Sequence, residues 1–409
     1  MRLFWFLLCA AVWAASPATV PVTVIRNVTV IDPGTQLVAA HWSVLMAEGK
    51  IQALGVIAEP LGAKVIDGTG RFLIPGLWDM HVHLWNADNL PTLYLAFGVT
   101  GVRDMGSAFE RTVALRKSIE AGLTVGPHIL TSGPGIDGKA SDEPRLPIMA
   151  VSTPDQARRA VDALDDMGVD FVKVFTNIEL EPYMAMVERA RQLRLPVAGH
   201  LPSQVRLEDA IALKQASIEH LFGLEKLRQE RLRKAFMEAA GQGVRFVPTL
   251  TMHRRSLSLG IADDARFALI PAELKKNWGE FGKPPEGAVA TYARYQAMTR
   301  WLRDAGVTVL AGSDTGNPFT VPGGTLLDEL GLLVEAGLSP AEALRGATSE
   351  AARFMGLERM FGSVGVGLVA DVVLLDGDPL ADIGNVRKVA GVCWRGRYYD
   401  GVEGLTHGR

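Results

Sequence analysis

The sequence predicts an α/β protein built on a (β/α)8 TIM barrel, with a small β-sandwich domain formed by the N- and C-terminal segments. Short β-rich runs that end in polar residues alternate with helical stretches from residue 77 to residue 313. Segments of β type, with no helical period between them, stand before and after that region. Eight strands in alternation with helices are typical of such a barrel. The alternative is an open, doubly wound sheet, but no Gly-x-Gly-x-x-Gly motif follows an early strand.

The N-terminal residues 1–18 are predicted to be a signal peptide. Arg2 is followed by an apolar run over residues 3–15, with small residues near its end. The run is short for a membrane span, and an uncleaved anchor is the alternative. We therefore expect an exported protein, periplasmic or secreted, with no membrane association after cleavage. Cys393 would then be the remaining cysteine of the two in the chain, and we expect it to be a buried hydrophobic residue.

Composition excludes some classes of function. The chain has 409 residues, of which 48% are hydrophobic and 21% charged, which is typical of a globular protein. Its formal net charge is −3 and it contains no long basic run. Nucleic-acid binding therefore lacks electrostatic support.

The elements predict three parts after the signal peptide: residues 19–74, with several β-type runs; the barrel, residues 75–360; and residues 361–409, which return to β structure. The predicted barrel strands are Leu77–His83, Thr100–Asp104, His128–Ser132, Phe171–Phe175, Pro196–His200, Ala216–His220, Arg245–Thr251 and Thr308–Ser313. The predicted helices include Pro154–Met167, Leu180–Leu193, Leu326–Ala336 and Pro340–Met355. The connection His253–Trp301 is long and contains several Gly and Pro residues, which indicates a lid over the barrel mouth.

Potential metal ligands lie at the ends of the predicted strands. His81 and His83 are two apart at the end of the first strand, so they share a face with their Cα atoms roughly 6.5 Å apart. The other candidates in or after a strand are Lys173, His200, His220 and Asp314. In such barrels the active site is built at the C-terminal ends of the strands. The set therefore predicts a metal site at the barrel mouth.

The donor types suit hydrolytic metal chemistry. Imidazole and carboxylate bind zinc, and also manganese, iron or cobalt. Lys173 lies in an apolar strand, where a neutral lysine could take up carbon dioxide as a carbamate that bridges two cations; a lysine that reaches out at the barrel rim is the alternative. Asp314 is placed to accept and return a proton. No Gly-x-Ser-x-Gly motif offers a competing serine nucleophile.

With these residues assembled, the chain resembles the amidohydrolase superfamily of metal-dependent hydrolases. The resemblance rests on five stretches, residues 76–83, 98–104, 168–173, 312–314 and 367–375. It implies two divalent metal ions, with zinc the first candidate. His81, His83 and Asp314 would hold one ion, His200 and His220 the other, and a carboxylated Lys173 would bridge them. The chain looks closest to imidazolonepropionase-like enzymes and Xaa-Pro dipeptidases, and the lysine favours the dipeptidases, since imidazolonepropionase typically works with one metal.

Some residues depart from the resemblance or lie beside the predicted site. The dipeptidases tend to carry a histidine after strand 3 and a tyrosine after the strand-6 histidine, where this chain has residues 133–138 and Leu221-Phe222. We expect His128 to be structural, and Arg103 and Asp104 to form internal ion pairs. Asp79 is either a partner of the metal ligands or an ordinary interior carboxylate.

These observations predict an exported enzyme that hydrolyses a carbon–nitrogen bond through a metal-activated hydroxide. The expected substrate is small, such as a dipeptide, an N-acyl amino acid or a cyclic amide. Ester, lactone or phosphotriester hydrolysis on the same binuclear site is the alternative chemistry. A scaffold that kept the fold and lost catalysis is the alternative class, and a homo-oligomer is compatible with the sequence.

Overall fold

The computed structural model describes residues 22–85, 90–141, 146–260, 264–276, 278–401 and 405. The predicted signal peptide, residues 1–18, lies outside these residues. Across the described part of the chain, no helix combines the length and apolarity needed to cross a membrane.

Seventeen strands run through the described residues. They are β1 (Thr23–Asp32), β2 (Leu37–Ala47), β3 (Lys50–Gly55), β4 (Lys64–Asp67), β5 (Phe72–Pro75), β6 (Leu77–Val82), β7 (Val99–Asp104), β8 (His128–Thr131), β9 (Gly135–Asp137), β10 (Ile148–Ala150), β11 (Val172–Val174), β12 (Val197–Gly199), β13 (Ser217–Glu219), β14 (Arg245–Val247), β15 (Val372–Leu375), β16 (Val389–Trp394) and β17 (Arg397–Asp400).

The described helices lie between and after these strands. They are α1 (Pro91–Ala96), α2 (Phe109–Glu120), α3 (Pro154–Met167), α4 (Leu180–Leu193), α5 (Leu207–Ala212), α6 (Gln229–Gln242), α7 (Leu250–Ser256), α8 (Ala272–Lys275), α9 (Ala288–Asp304), α10 (Gly324–Glu335), α11 (Pro340–Gly346) and α12 (Ser349–Phe354). Short 3-10 helices span Leu224–Lys226, Ala265–Leu269 and Ile383–Arg387.

The two terminal segments share one sheet. Its strands run in the order β17-β16-β15-β5-β1-β2-β3, with β4 paired to β1. The junction between the segments is β15 against β5, which pair antiparallel from Val372 opposite Pro75 to Leu375 opposite Phe72. Cys393 is buried in the core of this sheet, as predicted. The sandwich form and the boundaries at residues 74/75 and 360/361 stay predictions.

The central region has the predicted α/β character. Strands β6, β7 and β8 form one parallel sheet, and β10-β9-β11-β12-β13-β14 form another. Helices such as α3 and α4, each with one buried face, stand between consecutive strands. Helices α3 and α4 both begin and end at the predicted residues. Thr153 and Gln156 form a capping box at the start of α3, and Gly168 ends the helix in the left-handed region.

The predicted eighth strand, Thr308–Ser313, is irregular. Its backbone links two neighbours, because Leu310 N donates to Phe246 O of β14 and Met80 N of β6 donates to Ala311 O, each at 2.9 Å. Ala311 N, however, donates to Gly346 O outside the sheets. The ladder is therefore interrupted and only Val309 forms a bridge to β14.

Two other predicted elements differ substantially from the structure. The strand expected over Arg245–Thr251 ends at Val247, and α7 begins at Leu250, because the Glu329 carboxylate accepts the N–H groups of Leu250 and Thr251. The helix expected over Pro340–Met355 is divided into α11 and α12. The connection His253–Trp301 contains the end of α7, a 3-10 helix, α8 and most of α9.

Candidate metal centre

His81 of β6 and His83, which follows that strand directly, point to one place and are held at close range to the segment that follows α9. His81 is fully buried and His83 nearly so. A Cβ on Gly312 would lie 2.8 Å from His81 Cβ and 2.9 Å from its backbone N. Gly312 is therefore required for the close approach of this backbone to β6, as its place before Ser313-Asp314 suggests.

His81, His83 and Asp314 form a group that could hold a metal ion, since one ligand atom from each lies within 4.8 Å of the others. Oδ1 of Asp314 is 3.5 Å from Nε2 of His81 and 3.4 Å from Nε2 of His83. All three side chains are buried. The three predicted ligands of the first ion therefore come together around one point.

Both histidines direct Nε2 to that point, because Nδ1 of each is engaged elsewhere. Nδ1 of His83 donates to the Gly106 carbonyl at 3.0 Å. Nδ1 of His81 donates to Oε2 of Glu219 at 2.8 Å. Nε2 of His81 is buried and has no hydrogen-bond partner among the described residues. A lone pair in that position costs free energy unless an acceptor of electrons, such as a metal ion, occupies the site.

His200 and His220 lie beside this group. The ring centroid of His220 is 4.6 Å from that of His81 and 5.0 Å from that of His200. The Thr249 hydroxyl donates to Pro248 O, so it accepts from Nδ1 of His220 at 2.6 Å. Nε2 of His220 is therefore the atom left for a ligand.

Lys173 of β11 completes the predicted set. It is fully buried, and its Nζ lies 4.7 Å from the ring centroid of Phe175. Within the part of the chain that the structure describes, Nζ has no hydrogen-bond partner. Burial lowers the pKa of Lys173 to about 8. A lysine at the barrel rim would reach water, so the burial of Lys173 argues against that alternative.

The electrostatics of the site favour neutral histidines and an ionised aspartate. Burial, with the charge of Lys173 next, lowers the pKa of His81 to about 4 and the pKa of His200 well below its usual range. Burial also lowers the pKa of His220 strongly. For Asp314, burial raises the pKa, but the hydrogen bond with His83 and the nearby imidazoles outweigh it and hold the pKa well below its usual value. These are the protonation states that metal ligands need.

Asp79 lies under Asp314 and fixes the backbone that carries it. Oδ1 of Asp79 accepts from Ser313 N at 2.9 Å and from His81 N at 3.2 Å, and Oδ2 accepts from the Ser313 hydroxyl. Burial raises the pKa of Asp79 to about 7. Asp79 therefore connects the two chain segments that supply the ligands, rather than standing alone in the interior.

Three residues at this end of the structure have left-handed backbones: φ is 64° at His220, 49° at Thr249 and 56° at Asp314. Such conformations are uncommon for residues other than glycine and cost of order 1–3 kcal/mol each. They occur where the chain turns out of a strand and directs a polar side chain toward the site. The sequence gives no signal for this strain.

Glu219 and Arg103 are supporting residues that sequence reasoning did not place at the site. Arg103 donates from Nη2 to Oε1 of Glu219 at 2.6 Å and from Nε to Met80 O at 2.7 Å. It forms an internal ion pair, as predicted. Burial raises the pKa of Glu219, but Arg103 and His81 outweigh it and lower the pKa to about 2. The only signal for Glu219 in the sequence is its position before His220.

The remaining predicted residues lie away from the candidate ligands. Nε2 of His128 lies 2.8 Å from Oδ2 of Asp371 in the shared sheet, so His128 links β8 to the C-terminal segment, in agreement with a structural role. Asp104 accepts from the Thr131 and Ser107 hydroxyls at 2.7 and 2.6 Å. Among the described residues no basic side chain pairs with Asp104, so the expected internal ion pair is found for Arg103 but not for Asp104.

Two histidines and an aspartate lie around one point and can bind a divalent metal ion. Metal-dependent hydrolases commonly use these donor types, so the site indicates a protein of that class. The chain belongs to the amidohydrolase family, whose signature matches residues 72–398. This membership confirms the prediction of a metal-dependent enzyme, a hydrolase that acts on carbon–nitrogen bonds.

Individual relatives span most of the chain. The ochratoxinase of Aspergillus niger is 24% identical over 373 residues, which cover 76% of this chain and 71% of the relative. The imidazolonepropionase of Symbiobacterium thermophilum is 28% identical over 372 residues and 84% of each chain. Among solved structures, a Xaa-Pro dipeptidase with bound methionine matches with a TM-score of 0.74 at 24% identity, covering 93% of this chain and 100% of the other. A bottromycin amidohydrolase matches with a TM-score of 0.77 at 24% identity, covering 97% and 89%.

Proposed function

We propose that this protein is a binuclear metal-dependent amidohydrolase that cleaves an amide bond in a small substrate. The observation that carries the proposal is a pair of buried, unpartnered nitrogens, Nε2 of His81 and Nζ of Lys173, beside Asp314 and the other histidines. A folded protein rarely leaves such atoms without partners unless a ligand satisfies them.

The residues present fit two ions. His81, His83 and Asp314 would hold the first and His200 and His220 the second, and Lys173, once carboxylated, would contact both. Bound divalent ions, zinc being the first candidate, supply Lewis acidity and lower the pKa of water. The pKa of Lys173 near 8 favours the neutral amine that reacts with carbon dioxide.

The chain's own groups would then orient the site and move the proton. Glu219 holds His81 with its Nε2 directed inward, and Asp79 holds Ser313 and thereby Asp314. Asp314 accepts a proton from water and returns it to the leaving nitrogen. Oδ2 of Asp314 is held by Arg255 at 3.2 Å and by Asn317 at 2.9 Å, so Oδ1 remains directed toward the histidines.

The fold proposed for this site is a closed (β/α)8 barrel. Parallel pairing from β6 to β8 and from β9 to β14 supports it, as do the hydrogen bonds that join the segment after α9 to β14 and β6. The family match supports it as well. The shared sheet of the two termini would form the sandwich beside the barrel.

The proposed substrate is a small amide: a dipeptide, an N-acyl amino acid or a cyclic amide. Relatives named for a Xaa-Pro dipeptide and for imidazolone propionate support small substrates. Phe222 stands after His220, with its ring centroid 5.4 Å from that of His220. Phe222 has an apolar ring where the dipeptidases tend to have the hydroxyl of a tyrosine. We therefore do not assign the substrate specificity of the dipeptidases to this protein.

The test is a hydrolysis screen of metal-loaded protein against dipeptides, N-acyl amino acids, cyclic amides, lactones and phosphotriesters, with metal content measured on the same sample. We expect about two ions per chain and turnover of an amide. Turnover confined to lactones or phosphotriesters would show that the enzyme cleaves an ester or phosphotriester bond and not an amide bond. Metal without turnover on any substrate would favour the scaffold class.

Export is part of the proposal and rests on residues 1–18 alone. The mass of the intact protein recovered from its native host should lack these residues. A mass that includes them would indicate an anchor. The oligomeric state can be measured on the same sample. The mass of the protein in solution is compared with the mass of one chain, which is 44.1 kDa for the full sequence.

A further inference from the structure

His253 of α7 is a fully buried histidine that bonds to the chain directly after His220. Its Nε2 accepts the N–H group of Leu221 at 3.0 Å. A ring nitrogen that accepts from a backbone N–H carries no proton, so the neutral ring has its proton on Nδ1. Nδ1 is buried and has no hydrogen-bond partner among the described residues. The bond to Leu221 is therefore the one hydrogen bond that the His253 side chain forms within the described part of the chain.

Packing alone does not account for a histidine at this position. The ring of His253 stacks on Tyr295, with centroids 3.7 Å apart, and meets the ring of Phe222 edge-on at 4.7 Å. A phenylalanine would fill the same aromatic site without burying a polar atom. A buried donor left unpaired costs about 1–3 kcal/mol. The unpaired Nδ1 therefore indicates that the acceptor at Nε2 has a role of its own.

The bond to Leu221 holds a strained part of the backbone. His220 has a φ of 64°, in the left-handed region, which costs about 1–3 kcal/mol for a residue other than glycine. The N–H group of His220 donates to Val247 O at 2.9 Å, and the next N–H group, that of Leu221, donates to His253. The peptide groups on both sides of His220 are therefore anchored, and this anchoring fixes the direction of its side chain.

Helix α7, which carries His253, is itself fixed at its start. The Glu329 carboxylate accepts the first two N–H groups of the helix at 2.8 Å each. Thr249, directly before the helix, accepts from Nδ1 of His220 at 2.6 Å. One fixed turn thus contacts both the ring of His220 and the backbone after it. Support of this kind holds a metal ligand in its productive geometry.

Two other candidate ligands have similar support from a buried side chain. The N–H group directly after His83 donates to Oδ1 of Asp104 at 3.1 Å. The N–H group directly before Asp314 donates to Oδ1 of Asp79 at 2.9 Å. In each case a buried side chain accepts a backbone N–H group next to a candidate ligand. A buried acceptor beside a ligand is therefore a repeated feature of this site.

We propose that His253 is a positioning residue for the second metal ion. Through the N–H group of Leu221, it holds His220 with Nε2 directed to that ion. This inference rests on the proposed binuclear function and adds a residue to it. Support behind a metal-binding histidine typically contributes about 10-fold to 100-fold in affinity. Because His220 belongs to the second site, the effect should be confined to the second ion.

The test titrates zinc against a chelator in variants that change the acceptor in different ways. His253→Gln places an amide oxygen near the position of Nε2 and should keep most of the affinity for the second ion. His253→Asn reaches only to the position of Nδ1, and His253→Phe keeps a ring without an acceptor. Each of these two should lower the affinity for the second ion about 10-fold to 100-fold and leave that for the first ion unchanged. Arg254→Met is the matched control, because Arg254 is the next residue of α7 and its Nε donates to Leu259 O. It should keep both affinities.

Hydrogen exchange tests the same bond without metal and without activity. In metal-free protein with isotopically labelled leucine, NMR should show slow exchange of the Leu221 N–H group in the wild type and in His253→Gln. The same group should exchange faster in His253→Phe and His253→Asn. Denaturant unfolding of each variant measures its overall stability. A positioning role predicts that affinity for the second ion follows the exchange of Leu221 and not the overall stability.

Two results would overturn the inference: slow exchange of Leu221 in His253→Phe, or normal affinity for the second ion in a variant where Leu221 exchanges fast. If wild-type protein binds no second ion, the proposed binuclear function fails instead. Exchange in the metal-free protein then still decides whether His253 holds the chain after His220.

Discussion

Nδ1 of His81 lies 2.8 Å from Oε2 of Glu219, although the two residues are 138 positions apart and neither side chain is exposed. The other oxygen of Glu219 accepts from Arg103 at 2.6 Å. One buried carboxylate thus joins a candidate metal ligand to a buried cation. This relationship fixes the tautomer of His81 and directs its Nε2 to the centre of the site.

Glu219→Gln should lower both metal affinity and stability. Loss of a hydrogen-bond partner behind a metal-binding histidine typically costs 10–100-fold in affinity. Loss of the charge also leaves Arg103 buried and unpaired, for which we expect a fall in the free energy of unfolding of about 3–5 kcal/mol. Metal titration and denaturant unfolding of the metal-free protein measure the two effects separately.

The double variant Glu219→Gln with Arg103→Met separates these effects further. It removes the unpaired cation, so it should recover part of the stability without recovering metal affinity. Unchanged metal affinity in Glu219→Gln would show that the carboxylate serves only the ion pair.

Lys173→Ala should lose about half of the bound metal and most of the activity, because the proposed bridge between the two ions is gone. Elemental analysis and a rate measurement on the same sample test this. Added short carboxylic acids should partly restore both, since a carboxylate can take the place of the carbamate. Lys173→Met serves as a control that fills the volume and cannot bridge. Full metal and full rate in Lys173→Ala would contradict the bridging role.

Asp314→Asn should remain slow when the metal sites are full. If Asp314 moves the proton, we expect a fall in kcat of about 10²–10⁴-fold that high metal concentration does not reverse, together with a changed pH profile. If Asp314 is only a ligand, metal saturation should restore the rate. Rates are therefore compared at metal occupancies shown to be equal by elemental analysis.

Stability of the metal-free protein should fall as the pH drops below about 6.5. Burial lowers the pKa of His81 to about 4 and that of His253 to about 3, whereas histidine in an unfolded chain titrates near 6.5. Between about pH 4 and 6.5 these histidines bind protons in the unfolded chain and not in the folded chain, which makes the free energy of unfolding rise with pH. Burial raises the pKa of Asp79 and of Glu329 to about 7, so these two carboxyls act in the opposite direction and reduce the slope. Burial lowers the pKa of four histidines, so we expect a net slope that stays positive.

Denaturant unfolding across that window measures the slope. His253→Phe removes one buried histidine that is not a proposed metal ligand, and the slope should decrease. His41 is exposed, so His41→Gln should leave the slope unchanged. An unchanged slope in His253→Phe would be inconsistent with a neutral, buried His253 in the folded state.

Much of the candidate site could be predicted from local pattern. His81 and His83 share a face because strand side chains alternate, and the ends of parallel strands meet at one edge of the fold. That rule places His200, His220 and Lys173 near the same point without knowledge of any contact. Helix α3 was equally predictable, because Pro154, the capping box and Gly168 are all local signals.

Other features could not be predicted, because their cause lies far along the chain. The end of β14 depends on Glu329, which accepts two N–H groups 78 and 79 positions away. The strand-like run before Asp314 is irregular because the N–H group of Ala311 donates to Gly346 O rather than to a neighbouring strand. Propensity favours a strand in both places, and tertiary hydrogen bonds override it.

The sequence by itself determined the class of this protein and the residues that can bind metal, since residue type and strand period are local properties. Only the tertiary structure decided which groups support those residues: Glu219 behind His81, Asp79 under Ser313, and Arg255 on Asp314, 59 positions away. The physical reason is that a side chain's hydrogen-bond partner, and the desolvation that sets its pKa, depend on which segments pack together. The periodicity of residues within one segment carries no information about which other segments pack against it.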